Sequence, residues 1–92
     1  MVDSEITIIG GGVIGLSIAR ILSQNGRSVI LIEKNKTFGI ENSSRNSGVV
    51  HAGIYYGLKS LKKKFCTNGN QSLYDYANER NINYKKCGKL IV

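Results

Sequence analysis

Apolar residues gather near the start of the chain in two short runs, residues 6–9 and 29–32. Both runs are rich in isoleucine and apolar on both alternating faces, the pattern of strands covered on two sides within a parallel sheet. Between them the period changes. Ile14, Ile18, Ile21 and Leu22 recur at helical spacing and form one apolar face, which is expected to lie on the sheet. Asn25-Gly26 can take the left-handed geometry that ends a helix and returns the chain to a second strand over residues 28–33. Residues 5–33 therefore predict strand, turn, helix, strand.

From residue 35 to about residue 59 the periodicity disappears and Gly, Ser and Asn accumulate, over a length that exceeds a routine connection and points to a working loop. Leu61, Phe65, Gly69, Leu73 and Ala77 then fall every fourth residue and predict a helix over residues 60–80, with Ser60 as its N-cap and Arg80-Asn81 at its C-terminus. Gly69 either admits a close neighbour or simply weakens that helix. Residues 88–92 read as the start of a further strand with no turn signal after it. The chain is thus expected to be the N-terminal fragment of a longer protein, closed by a missing C-terminal part.

Ninety-two residues make at most one small domain with a thin core. No apolar run approaches membrane-spanning length, and Asp3 and Glu5 spoil the N-terminus as a secretory signal, so the chain is expected to be cytoplasmic, or peripheral to the inner face of a membrane. Cys66 and Cys87 form no CxxC pair and have no histidine nearby, which argues against a metal site and for buried free thiols. The net charge of +7 allows anionic ligands, nucleic acid or an anionic surface. The run Lys62, Lys63, Lys64 lacks interleaved aromatics and any nucleic-acid module, so it reads as a solvated face and no nucleic-acid partner is expected.

The chemistry starts at the first turn. Gly10-x-Gly12-x-x-Gly15 sits between a predicted strand and a predicted helix, the context that makes this common pattern a Rossmann-type dinucleotide-binding motif. Gly10 permits the tight turn, Gly12 removes a side chain that would meet the pyrophosphate, and Gly15, with Ala19 one turn on, lets the helix pack close to the strands. Phosphates would sit on the free N–H groups at Val13 and Ile14, at the positive end of the helix dipole. Glu33, followed by Lys34, ends the second strand at the spacing where an acid bonds the adenosine ribose. A carboxylate there repels a 2′-phosphate, so NADP is disfavoured while NAD and FAD both stay open.

The loop that follows contains Ser43, Ser44, Arg45, Asn46, Ser47 and Gly48, then Val49-Val-His-Ala-Gly-Ile-Tyr-Tyr56. Its small hydroxyl and amide groups suit phosphate and ribityl oxygens, and Arg45 suits either phosphate or solvent. Gly48 and Gly53 either let backbone pass close to an extended cofactor or simply satisfy turn geometry. This segment, together with Ser60-Leu-Lys, Phe65-Cys66, Leu73-Tyr74 and Cys87-Gly-Lys-Leu-Ile-Val92, resembles the D-amino-acid-oxidase superfamily of flavoproteins. Within it, the likeness is to FAD-dependent L-2-hydroxyglutarate dehydrogenases and oxidases. It covers essentially the whole chain, with one departure at Gly57-Leu58, where relatives commonly carry proline.

The resemblance implies an α/β, two-domain flavoprotein whose N-terminal FAD-binding part comprises residues 1–92. It selects FAD as cofactor and implies oxidation of a small-molecule 2-hydroxy acid, with electrons passed on to a quinone, another carrier or oxygen. It implies contact with FAD for Ser44, Asn46 and Ser47. It also implies that the His51 segment runs beside the flavin, where His51 stabilises reduced-flavin charge or orients a substrate carboxylate. Tyr55 and Tyr56 either wall that site or pack in the core. Superfamily relatives acting on an amine, an amino acid or glycerol 3-phosphate, and a non-catalytic basic nucleotide- or nucleic-acid-binding module, are the alternatives.

Overall fold

The structure is a computed structural model that describes residues 4–91. Its elements run β1 (Ile6–Ile9), α1 (Val13–Gln24), β2 (Val29–Ile32) and α2 (Leu61–Glu79). The chain divides into two compact units, the first ending at Ser47 and the second beginning at Gly48.

In the first unit β1 and β2 pair in parallel, with Ile6 opposite Val29 and Ile9 opposite Ile32. Parallel neighbours need a crossover, and α1 supplies it. The helix stops where Asn25-Gly26 predicts. Gly26 takes φ +77°, its N–H donates to the Ser23 carbonyl at 3.1 Å, and the Arg27 N–H donates to the Leu22 carbonyl at 3.0 Å. This pair of bonds is the Schellman closure that satisfies the last carbonyls of a helix.

Two expectations about packing are corrected. The side of α1 turned to the strands is not the isoleucine stripe: Gly15, Ala19, Arg20 and Leu22 are the half-buried positions, while Ile14, Ile18 and Ile21 are 74%, 47% and 53% exposed. Small residues at Gly15 and Ala19 bring the helix axis close to the sheet, an approach that an isoleucine at either place would prevent. The strands, expected to be covered on both faces, have α1 as their only packed helix among the described residues. Ile9 and Ile32 accordingly remain 85% and 52% exposed, because one crossover helix covers one face of a sheet.

In the second unit α2 begins at Ser60, whose hydroxyl accepts the Lys63 N–H at 3.1 Å, an N-cap that satisfies one of the free amides of the first turn. It ends before Asn81, which takes φ +55° while the Ile82 N–H returns to the Ala77 carbonyl at 2.8 Å. The chain then folds back so that Tyr84 meets Tyr74 edge to face, ring centroids 4.8 Å apart. The stripe read at every fourth residue is not the packed face: Leu61, Phe65 and Leu73 are exposed. Lys63, Cys66, Gly69, Asn70, Tyr74, Tyr76 and Ala77 are the positions withdrawn from solvent, and of these only Gly69 and Ala77 belong to the stripe. A helix of 3.6 residues per turn drifts about 40° with each step of four, so a strict four-residue stripe winds off any single face. Gly69 would bring an added Cβ against nothing, so it weakens the helix and admits no neighbour.

Three smaller readings also change. Residues 88–91 form no strand, since a strand needs a paired neighbour and none lies beside them among the described residues; Val92 lies outside those residues. The two thiols are free, but Cys66 is half-buried and Cys87 exposed, not buried. Lys62, Lys63 and Lys64 do not share one solvated face, because consecutive helical positions are about 100° apart, and Lys63 is half-buried.

Candidate functional site

The glycine turn is built by the end of the sheet. The Gly10 N–H donates to the Ile32 carbonyl at 2.8 Å, which extends the β1–β2 pairing by one step, and Gly10 then takes φ +112°. That backbone is available to glycine and strained for other residues. The chain enters α1 through Gly12, an N-cap with no side-chain bond of its own. A Cβ on Gly15 would run into the Gly10 carbonyl oxygen and lie 3.4 Å from Ile8 Cγ2. Gly15 is thus what permits the helix to start against the turn.

The first amides of α1 are the anion-binding feature. The Val13 N–H donates to Ser43 Oγ at 2.8 Å, and the N–H groups of Ile14 and Gly15 meet no acceptor among the described residues. Free amides at a helix start, with the dipole behind them, favour a phosphate. A Cβ on Gly12 would reach to 3.0 Å of Ser43 Oγ, so the missing side chain leaves room at the helix start for a small polar group, here the Ser43 hydroxyl.

Glu33 fastens the turn from below. Its Oε1 accepts the Gly11 N–H at 2.8 Å and its Oε2 accepts the Asn35 N–H at 2.7 Å. These two bonds, that from Asn35 foremost, hold its carboxyl below the ordinary value, because an N–H donor stabilises the ionised form. A carboxylate has about four lone-pair sites, so two remain for ribose hydroxyls. Gly11, a variable position of the motif, is buried, and a Cβ there would lie 3.2 Å from Glu33 Cβ. The sequence reading passed over Gly11 and Asn35; a third glycine inside the motif was the available signal for the former.

Residues 35–47 pack back onto the turn. The Gly39 N–H donates to the Gly11 carbonyl at 2.9 Å, and Lys34 pairs with Glu41 at 3.1 Å on the exposed side. Turn and loop enclose a small cavity of about 180 Å³ lined by Gly10, Gly12, Glu33, Asn35 and residues 39–43. Among the loop candidates, Ser44 Oγ donates to the Ile40 carbonyl at 2.8 Å and Asn46 Nδ2 to the Asn42 carbonyl at 2.9 Å. Both side chains shape the loop locally, while Ser43 is the one directed at the helix start. Arg45 and Ser47 are exposed.

Gly48 and His51 belong to the second unit, where residues 48–56 and 82–89 with part of α2 line a mainly apolar hollow of about 770 Å³. Tyr55 and Tyr56 line the same hollow and carry Lys89 and Lys62 over their rings at 5.4 and 5.6 Å. Asn70, unnoticed in the sequence, donates from Nδ2 to the Val50 carbonyl at 3.3 Å and the His51 carbonyl at 3.2 Å. No group of His, Cys, Asp and Glu among the described residues could hold a metal ion, and no helix there is long and apolar enough to cross a membrane.

The free amides, the clearance at Gly12 and the ionised Glu33 together fit the pyrophosphate and ribose of an adenine dinucleotide. Comparison with known proteins adds the chain's relatives. The chain is 53% identical over 88 residues to the mitochondrial L-2-hydroxyglutarate dehydrogenase of Arabidopsis thaliana, 96% of this chain and 18% of that protein. It is 47% identical over 90 residues to the proteins of that name from Dictyostelium discoideum and Homo sapiens, of which it spans 20% and 19%. The chain therefore spans about one fifth of the length of these relatives. Their names overturn the expectation of a cytoplasmic or membrane-peripheral location, since they are called mitochondrial. Asp3 and Glu5 argue against a secretory signal alone, and the lack of one does not select the cytoplasm over an organelle. The sequence model of the FAD dependent oxidoreductases matches residues 5–92, and the chain belongs to that family.

Proposed function

We propose that this chain supplies the FAD-binding N-terminus of an enzyme that oxidises L-2-hydroxyglutarate to 2-oxoglutarate. The observation that supports this most is the 53% identity, over 96% of the chain, to a protein named for that activity, in a chain whose first turn has the free amides and clearance that a pyrophosphate requires. When bound, FAD supplies the redox chemistry by accepting a hydride from C2 of the 2-hydroxy acid.

The work of this chain is binding and orientation. The free amides of Ile14 and Gly15 hold the pyrophosphate, beside Val13, whose own N–H is given to Ser43 Oγ, with Gly10 and Gly12 leaving room for it. Glu33 bonds the ribose through its remaining lone pairs, and Lys34 offsets negative charge beside it. Ser44, Arg45, Asn46, Ser47 and the Gly48 backbone contribute further cofactor contacts. His51, in the hollow of the second unit, stabilises negative charge at the reacting end or orients a substrate carboxylate. A base takes the hydroxyl proton, and turnover needs an electron acceptor, a quinone, another carrier or oxygen.

The test is anaerobic mixing of the full-length FAD-loaded protein with L-2-hydroxyglutarate, D-2-hydroxyglutarate, an amino acid and glycerol 3-phosphate in turn. L-2-hydroxyglutarate alone should bleach the oxidised flavin. Bleaching by one of the other compounds in its place would refute the substrate assignment while leaving the FAD reading intact. In the same protein, His51→Ala should lower turnover more than it lowers flavin content.

A further inference from the structure

We propose that Asn70 is a positioning residue that sets the backbone of the His51 segment. The inference rests on the proposed function, in which that segment serves the reaction. Both partners of the Asn70 side chain are carbonyl oxygens, at 3.3 Å on Val50 and 3.2 Å on His51. The amide nitrogen therefore faces them, and each of its two N–H groups has an acceptor.

One turn earlier the same helix face takes a second hold. Gly53 is buried, with φ +77°, and its backbone lies so near α2 that an added Cβ would be 3.0 Å from Cys66 Cβ and 3.6 Å from the Lys63 carbonyl oxygen. Residues 50–53 are thus pinned to α2 at two points, by Asn70 and by Cys66. At the first of these points His51 itself is held, and it is exposed toward the hollow of about 770 Å³.

The imidazole makes no hydrogen bond of its own among the described residues. A histidine ring is ordinarily oriented by a bond to one of its nitrogens. Here its place is set through its backbone, whose carbonyl is the group Asn70 holds. Asparagine is a poor residue for a helix interior, because its amide competes with the backbone for hydrogen bonds. Asn70 stands near the middle of a 19-residue helix, and its amide is spent on another segment. A local preference set aside in this way is what a positioning role predicts.

The experiment uses the full-length FAD-loaded protein with Asn70→Asp, Asn70→Leu and Asn70→Gln. The first two remove both donors, and the third keeps them on a longer arm. Losing two neutral hydrogen bonds should speed amide exchange in residues 48–56 roughly tenfold and lower kcat roughly tenfold. Flavin content and melting temperature should stay at the wild-type level, and Asn70→Gln should recover most of both losses. Wild-type exchange in residues 48–56 of Asn70→Asp overturns the proposal. So does a loss of rate that tracks lost flavin or a lowered melting temperature, since the amide would then only stabilise the fold. His51→Ala separates the two levels. Wild-type turnover in that variant, with faster exchange in Asn70→Asp, overturns the reading of His51 on which the positioning role rests and leaves Asn70 as packing.

Discussion

Gly15→Ala should damage the protein out of proportion to the single methyl group it adds. The new Cβ would fall on the Gly10 carbonyl oxygen, 3.1 Å from the Gly10 carbonyl carbon and 3.4 Å from Ile8 Cγ2, inside the ~3.5 Å optimum of non-bonded heavy atoms. Gly10 cannot retreat easily, because its N–H is held by the Ile32 carbonyl at 2.8 Å and its φ is +112°. The helix must therefore move. Alanine favours a helix over glycine by about 1 kcal/mol. Overpacking costs about 1–3 kcal/mol, and an obstacle made of backbone points to the upper end. The net loss is about 2 kcal/mol, roughly thirtyfold in the folding equilibrium. The same shift moves the free amides of Ile14 and Gly15, and losing one hydrogen bond to a charged phosphate should weaken FAD at least roughly tenfold.

Gly12→Ala is the control. Its Cβ would meet Ser43 Oγ at 3.0 Å, a side chain that can rotate away, so stability should fall by at most about 1 kcal/mol, the worth of one hydrogen bond. FAD binding should still fail, because the methyl enters the phosphate space. Thermal unfolding of the cofactor-free full-length proteins and flavin fluorescence titrations read the two effects separately. Wild-type melting and wild-type FAD affinity in Gly15→Ala would refute the close approach on which the reasoning depends.

The Glu33 carboxyl is held below its ordinary value of 4.5, so its contribution to stability should be complete above that pH and lost as the pH falls through the lowered folded value. Carboxyl NMR should follow this titration, which Glu33→Gln should remove from the acid limb of the stability curve; a normal or raised value would refute the clamp on Gly11 and Asn35. Gly69→Ala should stabilise the protein by about 0.5–1 kcal/mol, since it adds a helix-favouring residue in open space, and a lower melting temperature would show an unnoticed neighbour. Residues 1–92 expressed alone should associate and fail to hold FAD, because Ala77 is the only buried apolar residue among those described while Ile9, Ile14, Leu58 and Leu90 are largely exposed. A monomer with a cooperative thermal transition and stoichiometric FAD would contradict that expectation.

The sequence by itself determined what local rules govern. Two isoleucine-rich runs separated by a helical period fold as strand, helix and strand because each segment's period matches one element. Asn25-Gly26 and Ser60 end and begin helices through bonds that span only a few residues. Gly10, Gly12 and Gly15 read as a phosphate turn because their spacing and their place between strand and helix are both visible along the chain. Tertiary structure decided which groups meet across longer separations. It turned Gly15 and Ala19 to the strands in place of the larger Ile14 and Ile18, since close approach outweighs apolar area at that contact. It joined Glu33 to Gly11, 22 residues away, and Asn70 to His51, 19 residues away. It left residues 88–91 without a strand, because the backbone bonds that make one come from a neighbour that a run of apolar residues cannot specify.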